Sequence, residues 1–155
     1  DKERAAVIND YDNAVLYNDF IMATLIDSMR QAKSHGFMVY FSDHGEDVFD
    51  SGAHEVLGRN ESKPTLAMYA VPFLLWMSDS WRATHPHHFR DYLDRPYDNS
   101  HFIHTWSDLA GLRYEGFEPE KSLVSPQFKE IPVLIGDPAN PKSLSDLRKM
   151  LPPKP

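Results

Sequence analysis

The sequence predicts an α/β fold, a mostly parallel sheet flanked by helices, and three observations predict it. Apolar residues recur at helical spacing over a long N-terminal stretch, which marks an amphipathic helix. Two short apolar runs, Phe37-Met38-Val39-Tyr40-Phe41 and Val71-Pro72-Phe73-Leu74-Leu75-Trp76-Met77, show no alternation, as strands buried on both faces do. Helix, buried strand, loop, buried strand, helix is then the order of a layered α/β architecture, in which helices cover both faces of the sheet.

The helix is expected over about Asn9 to His35, because Ala14, Ile21, Leu25, Met29 and Ala32 form one stripe. Asn9, Asp10 and Asp12 crowd its start, where caps and acidic side chains suit the positive end of the helix dipole. His35-Gly36 is a stop signal. The first strand ends at the polar turn Ser42-Asp43-His44-Gly45, and residues 45–64 read as a long, charged, irregular loop. The second strand carries Pro72 near its start, where a missing donor is tolerated. Helical patterns follow at about 80–94 and 100–111, the second stopped at Gly111. Eight of the 12 prolines lie beyond residue 117, so the tail should be mostly irregular and draped over the surface, with a short helix at Ser143 to Met150. The 155 residues suffice for one domain of ordinary size.

Composition excludes several functions. An apolar fraction of 41% can bury a core, which excludes wholesale disorder. The formal charge of −7, with basic residues scattered, argues against a nucleic-acid partner. Zero cysteines exclude disulfides, thiol catalysis and cysteine-type zinc sites. Val71 to Met77, the longest apolar run, is far short of the roughly 20 residues of a membrane helix. The polar opening Asp1-Lys2-Glu3-Arg4, with no initiator Met or signal peptide, reads as a cut end.

The sharpest site candidate is Ser42-Asp43-His44-Gly45-Glu46, beyond the carboxyl end of the first strand, where open α/β sheets bind ligands. Asp43 offers a hard oxygen and neutral His44 an imidazole nitrogen, a mixed pair that suits zinc. Strand neighbours point to opposite faces, but a backbone turning at Gly45 lets both reach one ion. The competing reading is a simple turn with His44 at the surface. His54, ten residues on, has several open roles: second metal ligand, general acid, donor to a substrate phosphate, or solvated loop histidine. Glu46, Asp47 and Asp50 read either as partners that orient ligands or as a solvated acidic loop. His85, His87 and His88 read as surface, for want of an acidic partner at a useful spacing. His101 and His104 share one helix face and read as satisfied histidines, on a helix that Trp106, Leu109 and Leu112 pack on the core. Trp76 and Trp81 are most simply packing residues as well.

Taken in order, Tyr11-Asp12-Asn13, Tyr17, Asp19, Tyr40-Phe41-Ser42-Asp43-His44-Gly45-Glu46, His54 and Val71-Pro72-Phe73-Leu74-Leu75-Trp76 resemble the C-terminal half of the sulfatase family, within the alkaline phosphatase superfamily. Inside that family the likeness is greatest to bacterial phosphoethanolamine transferases, and the segment His101 to Leu112 resembles the variety that decorates the lipopolysaccharide core. The likeness covers about residues 9–128.

The resemblance implies that residues 1–155 are the C-terminal portion of a sulfatase-like, alkaline phosphatase-like catalytic domain, with a Pro-rich tail from about residue 117. It implies a zinc enzyme at the periplasmic face of the bacterial inner membrane, its membrane segment outside this chain. Such an enzyme moves phosphoethanolamine from a phosphatidylethanolamine donor to a lipopolysaccharide acceptor. Asp43 and His44 match the family's zinc ligands, and His54 matches a histidine that contacts the transferred phosphate or a second metal. The family's threonine nucleophile and acidic metal ligand lie upstream of all these motifs, and Thr24, Thr65, Thr84 and Thr105 do not match that nucleophile. The expectation is therefore a catalytically inert chain with half a metal site, exposing apolar surface that associates with a second copy or with the missing N-terminal half. A sulfatase or phosphodiesterase on the same scaffold, or a non-catalytic interaction module whose Asp-His-Gly turn is structural, are the alternatives.

Overall fold

The computed structural model describes residues 2–52, 55–85 and 89–151. The chain divides into two compact units, Asp1–His85 and Pro86–Pro155.

The first unit opens with α1, Lys2–Gln31, seven residues earlier than the stripe predicts. Lys2, Glu3, Arg4, Ala5 and Ala6 are all good helix formers with no breaker among them, so the acidic Asn9–Asp12 cluster lies inside the helix instead of capping it. The stop also differs from the expected Gly36. Lys33 takes the left-handed conformation at φ 50°, its N–H bonds the Arg30 carbonyl at 3.0 Å, and the Ser34 N–H bonds the Met29 carbonyl at 3.0 Å. These two bonds form a Schellman cap with lysine in the position glycine usually fills.

Strand β1, Phe37–Phe41, has the predicted bounds. It pairs with Phe73–Met77 in register Phe37↔Met77 to Phe41↔Phe73, and the pairing is antiparallel. The other two ladders described, Asp47–Val48 with Leu57–Gly58 and Leu134–Ile135 with Ser145–Asp146, are antiparallel too. The expected mostly parallel sheet is therefore not what the described residues form. A non-alternating apolar run predicts cover on both faces, yet Phe37–Phe41 are only half-buried and Leu74 is exposed, and the run carries no information on strand direction. With β2 (Asp47–Val48), β3 (Leu57–Gly58) and β4 (Phe73–Met77), residues 45–64 hold a short hairpin where sequence predicted only loop. Pro72 lies just before β4, as its missing N–H requires. Helix α2, Asp79–Thr84, is capped by Ser78, whose Oγ accepts from the Trp81 N–H at 3.2 Å. Trp81 is buried between a tilted Phe37 ring and a stacked His85 ring.

In the second unit, helix α3 spans Phe102–Leu109 and ends at Gly111, φ 68°, as predicted. Leu109 is buried, whereas Trp106 and Leu112 are exposed, against the expectation that all three pack inward. The tail is irregular but not merely draped. Val124 and Ile135 are core residues, and β5 (Leu134–Ile135) and β6 (Ser145–Asp146) pair where a helix at Ser143 to Met150 was expected. Around that span the helical turns are short and 3-10, Pro141–Ser143 and Leu147–Met150. Arg95 ties the tail down: one guanidinium nitrogen donates to the carbonyls of Leu123 at 2.6 Å and Ser125 at 2.7 Å, and the planar group lies over the Tyr92 and Phe128 rings.

Candidate functional site

The Asp43-His44 turn follows β1 directly and is held by its own polar groups. Ser42 Oγ donates to the His44 carbonyl at 2.6 Å, and the His44 N–H donates to Asp43 Oδ1 at 3.1 Å. Gly45 fixes the turn against the chain behind it, its N–H donating to the Met68 carbonyl at 3.0 Å. Its φ is not in the left-handed region. Glycine is required there by close approach, since a Cβ would meet the Ala67 carbonyl oxygen at 2.1 Å.

The two predicted ligands come together. His44 Nε2 stands 3.9 Å from Asp43 Oδ2, with Asp43 89% and His44 41% exposed at the side chain. His44 Nδ1 lies 3.1 Å from the Gly45 carbonyl, which can only accept, so in the neutral ring Nδ1 carries the proton and leaves Nε2 its lone pair. Adjacent ligand atoms of a tetrahedral zinc site stand roughly 3.4 Å apart, from bonds of about 2.1 Å. The pair thus needs about half an ångström of closure, which an exposed aspartate supplies by a small side-chain rotation. The donor chemistry and tautomer fit zinc, and the pair offers two of four positions. Among the described residues no third His, Cys, Asp or Glu completes a metal-binding set. His54 lies outside the described residues, as do His87 and His88.

The acidic residues after the turn have a role that neither sequence reading named. Asp47 is fully buried: its Oδ1 accepts from the Asp50 and Ser51 amides at 2.9 and 3.4 Å, and Oδ2 accepts from Thr65 Oγ1 at 2.8 Å. Burial works against its charge, but the Ser51 and Thr65 side chains and the two amides outweigh it, holding the carboxyl below the ordinary carboxylate range. Asp50 accepts from the Val48 N–H at 3.1 Å, and Glu46 is exposed. Glu61 lies within electrostatic reach of His44, bonded by the Tyr69 hydroxyl and the Arg59 guanidinium, which lower its pKa in that order. Nothing in the sequence spacing marks that trio.

Every threonine hydroxyl has a structural partner. Thr24 donates to the Phe20 carbonyl, Thr65 to Asp47 and Thr84 to the Trp81 carbonyl, while Thr105 accepts from the Leu123 N–H and meets the Tyr97 hydroxyl at 2.7 Å. His104 is buried and satisfied as expected, its Nδ1 accepting from the Glu118 N–H at 3.1 Å.

A strand running into an Asp-His-Gly turn, with the imidazole oriented from behind, defines the class: the chain belongs to the sulfatase family, whose model matches residues 1–112. Within that class it is similar to the phosphoethanolamine transferase EptC of Escherichia coli strain K12, 54% identical over 138 residues, which are 89% of this chain and 24% of that protein. It is likewise 53% identical, over the same shares, to the phosphoethanolamine transferase CptA of Salmonella typhimurium strain LT2. The crystal structure of the C-terminal periplasmic domain of the Escherichia coli EptC in complex with Zn superposes with a TM-score of 0.92 at 51% identity, covering 97% of this chain and 42% of that one. The chain thus spans about a quarter of the length of these relatives. No helix among the described residues is long and apolar enough to cross a membrane.

Proposed function

We propose that this chain is the C-terminal portion of the catalytic domain of a zinc-dependent phosphoethanolamine transferase, acting at the periplasmic face of the bacterial inner membrane. The observation that carries the reading is the paired Asp43 carboxylate and His44 Nε2 at the carboxyl end of β1, in a chain that shares about half its residues with proteins of that activity. The donor is phosphatidylethanolamine and the acceptor lipopolysaccharide. Asp43 and His44 hold the zinc, which when bound neutralises charge developing on phosphoryl oxygens and activates the nucleophile. His44 is kept in the ligating tautomer by the Gly45 carbonyl, and Gly45 keeps the turn seated on the Ala67-Met68 backbone. His54 contacts the transferred phosphate or acts as an acid. The nucleophile comes from outside this chain, which the structural employment of all four threonines supports.

The remainder of the domain supplies the other ligands and strands parallel to β1, so that the mostly parallel sheet belongs to the complete domain. The 42% share of the solved relative supports that division. Zinc titration of the full chain tests the site without relying on turnover. We expect one weak site, lost in Asp43→Asn and in His44→Asn, and no transferase or phosphatase activity. Zinc uptake indifferent to both substitutions overturns the site, and turnover abolished by Asp43→Asn overturns the inertness.

A further inference from the structure

The first unit has a cleft at the end of the β1–β4 ladder opposite the Asp43-His44 turn. It holds about 670 Å³, inside the range of small-molecule sites. Its mouth carries three cations, Arg30, Lys33 and Arg82, against the single carboxylate of Asp79, in a chain whose net charge is −7. No hydrogen bond or ion pair engages the Lys33 ammonium or the Arg82 guanidinium among the described residues. Arg30 meets Asp27 at 3.1 Å, an exposed pair that uses one of its five donors and is of little energetic weight. Behind the cations the apolar part of the wall is Met29 of α1 and Trp76, which lies on the face of β4 that is turned to α1, as the neighbouring Tyr40–Asn18 bond shows. The rim is fixed by a relay in which Ser80 Oγ bonds both His35 Nδ1 and Ser78 Oγ at 3.2 Å.

The backbone adds an independent observation. Lys33 sits at φ 50° in a helix cap that favours glycine. The same two-bond cap closes α3, and there the residue is Gly111 at φ 68°. A left-handed lysine is strained by its Cβ where glycine is not. Strain retained at one residue whose charge faces a cleft points to function.

We propose that this cleft binds a phosphate ester carried on an apolar chain, its phosphate held by Lys33, Arg82 and Arg30 and its chain laid on Trp76 and the Met29 thioether. Planar guanidinium groups suit phosphate oxygens, lysine adds a point charge, and methionine moulds to an irregular aliphatic chain. The site stands apart from the metal turn, roughly 20 Å along the strand at 3.3 Å per residue, and does not rest on the proposed transferase activity.

The test uses the full chain, metal-free, with the methionine methyl groups labelled for NMR. Dihexanoyl phosphatidic acid below its micelle concentration is titrated beside glycerol 3-phosphate and the uncharged hexyl glucoside. Saturable shifts at Met29 are expected, with binding about tenfold or more weaker for either comparison ligand and for Lys33→Ala/Arg82→Ala, as expected when charge-assisted bonds are lost. Lys142→Ala, a charge change in the other unit, leaves the affinity unchanged. Lys33→Gly separates function from fold: its melting temperature stays level or rises while its affinity falls. Absence of saturable shifts overturns the site. Equal affinity in the double variant or for hexyl glucoside overturns the role of the cations, and equal affinity for glycerol 3-phosphate overturns the apolar arm and makes this a site for free phosphate esters.

Discussion

At position 45 a single methyl group would stand 2.1 Å from the Ala67 carbonyl oxygen, and backbone is not free to yield as a side-chain tip is. Gly45→Ala therefore pushes the turn off its seat. We expect a loss of about 1–3 kcal/mol, the usual scale of overpacking, measured by urea unfolding, together with a changed His44 ring environment by NMR. A variant as stable as the parent sinks this account. Two residues on, Asp47 makes the opposite case, a buried carboxylate saturated with donors. Because its folded pKa is depressed, its contribution is fully present above the unfolded value and is lost as pH falls through the folded one. Asp47→Asn should cost about 1–3 kcal/mol near neutrality and flatten the acid limb of the stability curve below the ordinary carboxylate range. A steep acid limb retained in the variant would assign that limb to other groups. The pairing of Asp43 with His44 was legible because residue type and strand end suffice to suggest it. The reasons for Gly45 and Asp47 were not, since both depend on Ala67, Met68 and Thr65, about 20 residues further along the chain.

Among the elements, β1 and the end of α3 were readable from local signals, an apolar run and a glycine. The end of α1 was not, because lysine in the left-handed region leaves no mark in sequence. The order of the tail is hidden from the sequence for a related reason. Prolines forbid long regular elements but leave single residues free to be core, as Val124 and Ile135 are. What joins the tail to α3 is polar: the Leu123 N–H donates to Thr105 Oγ1 at 2.9 Å, and Thr105 meets the Tyr97 hydroxyl. Burial, opposed by the Thr105 bond and aided by nearby Asp98, pushes the Tyr97 hydroxyl up to about 12. A raised pKa means that the stabilisation is complete below the unfolded value of a tyrosine and disappears as pH rises through about 12. Ultraviolet titration should show one tyrosine ionising well after the rest, coincident with loss of near-ultraviolet dichroism. Tyr97→Phe should remove the late step and weaken the alkaline limb; a late step surviving in that variant would move the assignment to another ring.

The first unit presents an unusual helix: all 30 residues of α1 lack full burial, and Val15, Leu16, Tyr17 and Phe20 are exposed in a cluster, Leu16 by 68%. The stripe legible in the sequence, Ala14 to Ala32, contains none of these four residues, and a stripe says only that a surface wants cover and not whose. With 42% of the solved relative's chain represented, the proposed occupant is the remainder of the domain. Without it, a second copy competes for the same surface, because burying Leu16 or Phe20 is worth about 1.5–3 kcal/mol each whichever chain provides the partner. The net charge of −7 opposes that association at long range, and added salt screens the repulsion without weakening apolar contact. Sedimentation velocity of the chain should therefore show concentration-dependent self-association that strengthens with salt, and Leu16→Glu/Phe20→Glu should return it to monomer with α1 still helical by circular dichroism. A parent chain that stays monomeric at all concentrations and salt levels would mean that α1 tolerates its exposure, and the remainder of the domain would then have to be recognised elsewhere than on this helix.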